Sequence, residues 1–152
     1  MNRPFLSLFA LLLIAPSFTQ AQSPPPVANT QPKAQGKLVF VSTTGLEDLG
    51  TLASSFRHAK TAKESGHLSD VVWLSYGRAV VALDPTVTAV PDEVHKAAAE
   101  ARAAGVRLVA CGNALAKFGI DPKKLTPAAE VVPDGVRELS RLVAEGYAVI
   151  RY

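Results

Sequence analysis

The chain has 152 residues, of which 16 are Lys or Arg and 13 are Asp or Glu, for a formal net charge of +3. Its basic residues are spread out and do not alternate with the three tyrosines and one tryptophan, which argues against the charged stacking surface of a nucleic-acid binder. A single cysteine excludes an internal disulfide, so a domain of this size must rest on its own apolar core.

Residues 1–21 read as an export signal. Arg3 supplies the positive start, Phe5 to Ile14 is an apolar run broken only by Ser7, and Thr19-Gln20-Ala21 offers small residues for cleavage after Ala21. The run is shorter than the roughly 20 apolar residues of a spanning helix, and no second run follows, so the expected product is a soluble periplasmic or secreted protein with no membrane contact after cleavage. No cysteine stands just after the cleavage site, the sole one lying far downstream, so lipid anchoring is not expected. Residues 22–36, rich in Pro, Gln, Ser and Ala around Pro24-Pro25-Pro26, read as an extended tether that cannot recover its ordering entropy. The folded domain is expected over 37–152.

From Lys37 the pattern is strand, helix, glycine, strand. Leu38 to Ser42 is an apolar run of strand length, and apolar residues at 49, 52, 53, 56 and 59 mark one face of a helix ended by Gly66. Thr44-Gly45-Leu46-Glu47 reads as the capping box of that helix. Asp70 to Tyr76 is a second strand, and Arg78 to Leu83 is a short third strand or an irregular turn. Pro91 opens a helix with Asp92 and Glu93 at its positive end, and Gly105 closes it. Val106 to Ala110 is a strand, followed by Cys111 and a short helix to Phe118 stopped by Gly119. Pro133-Asp134-Gly135 opens a helix to Glu145, and Tyr147 to Arg151 is the last strand. Apolar strands alternating with helices predict an α/β fold, a mostly parallel sheet covered on both faces.

Ser42-Thr43-Thr44-Gly45 has the look of a flavodoxin phosphate loop, but Glu47 and Asp48 put two carboxylates where a phosphate would sit, so flavin or nucleotide binding is the less favoured reading. His58, His67 and His95 have no ligand-spaced partners, and Arg57, His58, Lys60, Lys63 and His67 read as a solvated basic face. No metal or other cofactor is expected. Cys111 is the candidate catalytic residue by elimination and by position, because open α/β sheets place reactive groups beyond the carboxyl ends of strands. The free amides of Gly112, Asn113 and Ala114 at the following helix start favour a nucleophilic sulfur. Gly112 permits close approach, and Asn113 is a good N-cap. The competing reading is a cysteine buried for packing alone.

Three segments taken together resemble the DsrE/DsrF-like family: Gly105 to Leu115 with its Cys111-Gly112-Asn113, Gly119-Ile120-Asp121-Pro122, and Val131-Val132-Pro133-Asp134-Gly135-Val136 leading to Glu145-Gly146-Tyr147-Ala148-Val149-Ile150. Thr44-Gly45-Leu46-Glu47-Asp48 fits the family's opening, and the likeness spans nearly all of Lys37 to Tyr152. The resemblance implies a three-layer α/β/α domain, flavodoxin-like in outline, with about five mostly parallel strands, usually in homo- or hetero-oligomers. It also implies a sulfur carrier or sulfurtransferase that holds a persulfide on Cys111, with Gly112 and Asn113 as pocket residues and with a sulfur donor and an acceptor protein as partners. The relay branch is cytoplasmic, whereas this chain carries an export signal. A non-catalytic oligomeric interaction module with a structural Cys111 is the alternative.

Overall fold

The computed structural model describes residues 36–125 and 129–152. The expected export signal, and all of the tether but Gly36, lie outside the described residues; Gly36 itself is the first residue of strand β1. The elements in order are β1 Gly36–Ser42, α1 Leu49–Glu64, β2 Leu68–Ser75, a 3-10 segment Gly77–Leu83, α2 Asp92–Ala103, β3 Arg107–Cys111, α3 Gly112–Phe118, a 3-10 turn Pro122–Lys124, β4 Glu130–Val132, α4 Gly135–Ala144 and β5 Ala148–Arg151.

The five strands form one parallel sheet in the order β4-β3-β2-β1-β5. From β1 the chain steps through β2 and β3 to β4 in one direction, then returns across the sheet to β5. Parallel crossovers are right-handed in nearly all proteins, so reversing direction moves the connecting helix to the other face. The packing follows that rule. Side chains of α1, α2, α3 and the 3-10 segment pack with Phe40, Val71, Trp73 and Leu108 in the larger core. Leu142 of α4 packs with Val39, Val41, Val72, Leu74 and Val109 in the smaller one. The domain is thus the expected three-layer α/β/α sandwich.

The larger core is fixed by one buried aromatic pair and one buried polar contact. Phe56 and Trp73 stack with ring centroids 4.0 Å apart. Trp73 donates its indole N–H to Ser55 Oγ at 2.8 Å, and Ser55 donates in turn to the Leu52 carbonyl, so no polar atom of the trio is stranded.

Three local expectations change. Helix α1 starts at Leu49 with Asp48 as N-cap, its carboxylate accepting from the Thr51 amide at 2.9 Å, so the Thr44–Glu47 capping box is not formed. Glu47 instead pairs with Arg78 at 2.9 Å, and Gly45 packs so tightly on Arg78 that a Cβ there would lie 2.6 Å from the Arg78 Cβ. Residues 77–83 form neither strand nor irregular turn but a 3-10 segment whose Ala79 to Leu83 are all buried. The basic face of α1 is not simply solvated: Arg57 pairs with Glu93 and Lys60 with Glu100, both on α2, while His58 Nδ1 lies 2.6 Å from the Tyr152 hydroxyl.

A polar network closes the amino end of the sheet. Arg107 donates to Asp70 and to Glu130, both at 3.1 Å, and the Tyr147 hydroxyl donates to Asp70 at 2.5 Å. Burial alone would raise the Asp70 carboxyl, but the hydrogen bonds from Tyr147 and Arg107 outweigh it and hold it below the usual range. Burial, then the bond to Asp70, pushes the Tyr147 phenol up to about 12. A phenol raised in the folded state binds its proton more tightly than in the unfolded chain, so this stabilisation is complete below the unfolded value of about 10 and is lost as pH rises toward about 12. Denaturant titrations at pH 9 and pH 11.5 should therefore show a smaller alkaline loss of stability in Tyr147→Phe than in wild type; equal losses would contradict this assignment.

Candidate functional site

Cys111 is the last residue of β3 and the N-cap residue of α3. Register places it beside Val132 of β4, the strand that leads through Pro133 and Asp134 into α4. Cys111 belongs to the larger core, with Ala110 of its own strand and Ala114 and Leu115 of α3, and the turn into α4 reaches it at the strand end. Its sulfur accepts the backbone N–H of Gly135, the first residue of α4, at 3.2 Å, and the residue is only 6% exposed.

Gly135 is a glycine for steric reasons. A Cβ there would stand 2.9 Å from the Tyr76 Cβ, 3.0 Å from the Cys111 Cβ and 3.4 Å from the Cys111 sulfur. Gly112 meets a similar constraint, since its Cβ would lie 3.1 Å from the Val132 carbonyl oxygen. The turn between β4 and α4 therefore lies directly on the β3–α3 junction.

Asn113 is not the N-cap of α3. It sits one residue into the helix, its amide N–H donating to the Pro133 carbonyl at 3.2 Å and its side-chain Nδ2 donating to Asp134 Oδ2 at 3.2 Å. The other Asp134 oxygen accepts from the Arg137 amide at 2.9 Å and caps α4. That amide bond, followed by the amide of Val136 and the side chain of Asn113, holds the Asp134 carboxyl below its usual range. One carboxylate thus starts α4 and ties it to α3.

The structure brings Cys111, Gly112 and Asn113 together with three residues that sequence reasoning did not single out: Tyr76, Asp134 and Gly135. Pro133-Asp134-Gly135 was legible as a helix start, but its position over Cys111 depends on β4, which is only three residues long. The topological switch point, where ligands of open α/β sheets often bind, lies between β1 and β5 rather than at Cys111. There the backbone oxygen of Tyr152 accepts from the Thr43 amide at 3.0 Å and from the Thr43 hydroxyl at 3.2 Å, which occupies both donors of Thr43 in the loop with resemblance to a phosphate site. A separate cleft of about 130 Å³ is lined by Leu46, Glu47, Arg78, Val81 and Phe118 and shares no residue with the Cys111 turn.

The histidines stay apart from the cysteine's neighbours. His95 is half-buried on α2 with Nδ1 unpartnered among the described residues, as is the hydroxyl of fully buried Ser42 at the end of β1. Among the described residues no group of three or more His, Cys, Asp or Glu could hold a metal ion, and no helix is long and apolar enough to cross a membrane.

Residues 36–152 match the model of the DsrE/DsrF-like family. The fold is similar to that of MTH1491, a protein of unknown function from Methanobacterium thermoautotrophicum, at 25% identity and a TM-score of 0.61 over 78% of this chain and 100% of that one. It is also similar to the ychN protein of E. coli, at 19% identity and a TM-score of 0.66 over 78% and 100%. A third similar structure is BT1422 of Bacteroides thetaiotaomicron, at 21% identity and a TM-score of 0.61 over 80% and 99%. No functionally curated protein matches the chain.

The crowding around Gly135 has a measurable consequence. Gly135→Ala must displace the Tyr76 or Cys111 side chain or shift the start of α4, and overpacking of this kind costs about 1–3 kcal/mol. Chemical denaturation of the variant should show a loss in that range, and an unchanged midpoint would mean that the turn does not rest on Cys111.

Proposed function

The chain belongs to the DsrE/DsrF-like family, which is linked to sulfur relay, and from that premise we propose that it is an exported sulfur carrier working through a persulfide on Cys111. The supporting observation is the position of the sole cysteine, at the carboxyl end of a central parallel strand with a backbone N–H aimed at its sulfur. In the loading step the deprotonated Cys111 sulfur attacks the outer sulfur of a donor persulfide; the new S–S bond forms as the donor S–S bond breaks, and the donor leaves as a thiolate. In unloading an acceptor thiolate attacks the outer sulfur and Cys111 leaves as thiolate. Each step exchanges one S–S bond for another, so no external oxidant or reductant is needed.

Export is proposed from the charge and hydropathy pattern of residues 1–21. It places the carrier in the periplasm, away from cytoplasmic relay partners, so its donor and acceptor are expected to be exported as well. A second reading, a packing cysteine in an interaction module, is favoured by the 6% exposure of Cys111. The two readings separate on one measurement. After treatment of the purified protein with inorganic polysulfide, intact-mass analysis should find one added sulfur atom, removable by dithiothreitol, in wild type and none in Cys111→Ser. No adduct on wild type, or an equal adduct on the variant, would decide for the packing reading.

We also propose a homo-oligomer. Val136 and Val143, two turns apart on α4, are 58% and 51% exposed, and edge strand β5 exposes Val149 and Ile150. Apolar side chains left exposed on one helix and on the edge strand that follows it offer a surface for a second copy. Light scattering should give a mass above that of the single chain, and a strict monomer at high concentration would overturn the proposal.

A further inference from the structure

Cys111 is placed to react yet covered. Its sulfur touches Gly135 on one side, and Gly135 is pressed between Cys111 and Tyr76 so closely that not even a methyl group fits. A persulfide adds a second sulfur about 2.05 Å from the first, and the sulfur that attacks it must approach from outside. A buried sulfur that stays fixed under this turn can neither be attacked nor attack.

Among the described residues three hydrogen bonds tie the turn to the β3–α3 junction, one of them from the Gly135 amide to the Cys111 sulfur. Asn113 supplies two of them, its amide to the Pro133 carbonyl and its side chain to Asp134. The side-chain bond is exposed to solvent, whereas the N-cap bond from Arg137 to Asp134 belongs to α4 itself and moves with it. We propose that Pro133–Gly135 is a hinged cover over Cys111 and that the Asn113–Asp134 hydrogen bond is its clasp, setting how often the sulfur is presented to a reagent. Asn113 and Asp134 are positioning residues in this account. They act on access to the sulfur and not on the sulfur itself. The inference rests on Cys111 being the reactive group of the proposed carrier, but access is measurable without any sulfur transfer.

The test is the rate of alkylation by iodoacetamide, followed by intact mass under conditions where circular dichroism reports a folded protein. Wild type should react roughly 100-fold or more slowly than the same chain in denaturant, because reaction needs local opening. Asn113→Ala removes one exposed hydrogen bond and should react roughly three- to ten-fold faster than wild type. Asn113→Asp sets two carboxylates against each other and should react at least as fast as Asn113→Ala. The exchange variant Asn113→Asp with Asp134→Asn keeps the same shape and reverses donor and acceptor: the new amide can still cap α4 through its oxygen while donating to the new carboxylate. It should restore a rate within about two-fold of wild type, a rescue that simple loss of stability does not produce. If Asn113→Ala fails to fold, the comparison of Asn113→Asp with the exchange variant decides alone.

A wild-type rate equal to the denatured rate overturns the cover. Folded single variants with the wild-type rate, or an exchange variant as fast as Asn113→Asp, overturn the clasp. Alkylation that follows the clasp without any polysulfide adduct leaves the cover standing and removes the carrier reading. Sulfur loading with clasp-independent alkylation does the reverse.

Discussion

Among the described residues one helix covers a whole face of the sheet. The crossover from β4 back to β5 is, among the described residues, the only connection on that side, and its helix α4 is ten residues long. Val39, Val41, Val72, Leu74 and Val109 are all fully buried beneath it, so its seating decides whether that face stays dry. Most of the helix meets those apolar residues through Leu142 and the partly buried Leu139. Its first residue meets Cys111. The sulfur is therefore part of the surface on which α4 rests, and the chemistry of the site cannot be separated from the packing of the layer.

The polar contacts of α4 are arranged to match. At its start Asp134 caps the helix and reaches Asn113. Along it Arg141 pairs with Glu138, which is largely buried, and with Glu145. Bonds from Arg141 and the more distant charge of Arg107 hold the Glu138 carboxyl below the usual range, Arg141 contributing most and burial opposing it. At the other end of the sheet Tyr147, just before β5, bonds Asp70, so the chain on either side of α4 is tied by side chains, to α3 before the helix and to β2 after it. The amino-terminal tie is the weaker kind, since a solvent-exposed hydrogen bond contributes little against water.

Periodicity carried most of the fold. Helices α1, α2 and α4 and strands β1, β2, β3 and β5 have apolar patterns and glycine stops long enough to read, and Gly66, Gly105 and Gly119 take the positive φ that ends a helix. The first capping box failed because two acidic residues compete at that turn: Asp48 wins the N-cap, while Arg78, 31 positions further on, draws Glu47 away. The 3-10 segment was ambiguous because Ala79-Val80-Val81-Ala82-Leu83 is apolar without any period, which suits a fully buried turn as well as a strand. The short strand β4 has too few residues to show a period at all.

That last gap hid most of the site. Cys111, Gly112 and Asn113 are contiguous and were legible from the residues alone, but Tyr76, Asp134 and Gly135 come to them only through the pairing of β4 with β3 and of β2 with β3. The glycine at 135 has an extended-strand neighbour before it and a helix after it, and nothing local requires it to lack a side chain; the requirement comes from Cys111 and Tyr76 across the sheet. A burial that looks like evidence for a merely structural cysteine is thus produced by the same turn whose opening gives access to the sulfur. Low exposure in the closed state and reactivity in an open one are consistent whenever local opening costs less than unfolding the domain, and an N-terminal turn held by one exposed side-chain bond, one backbone bond and the Gly135 bond to the sulfur itself is the kind of segment that meets that condition.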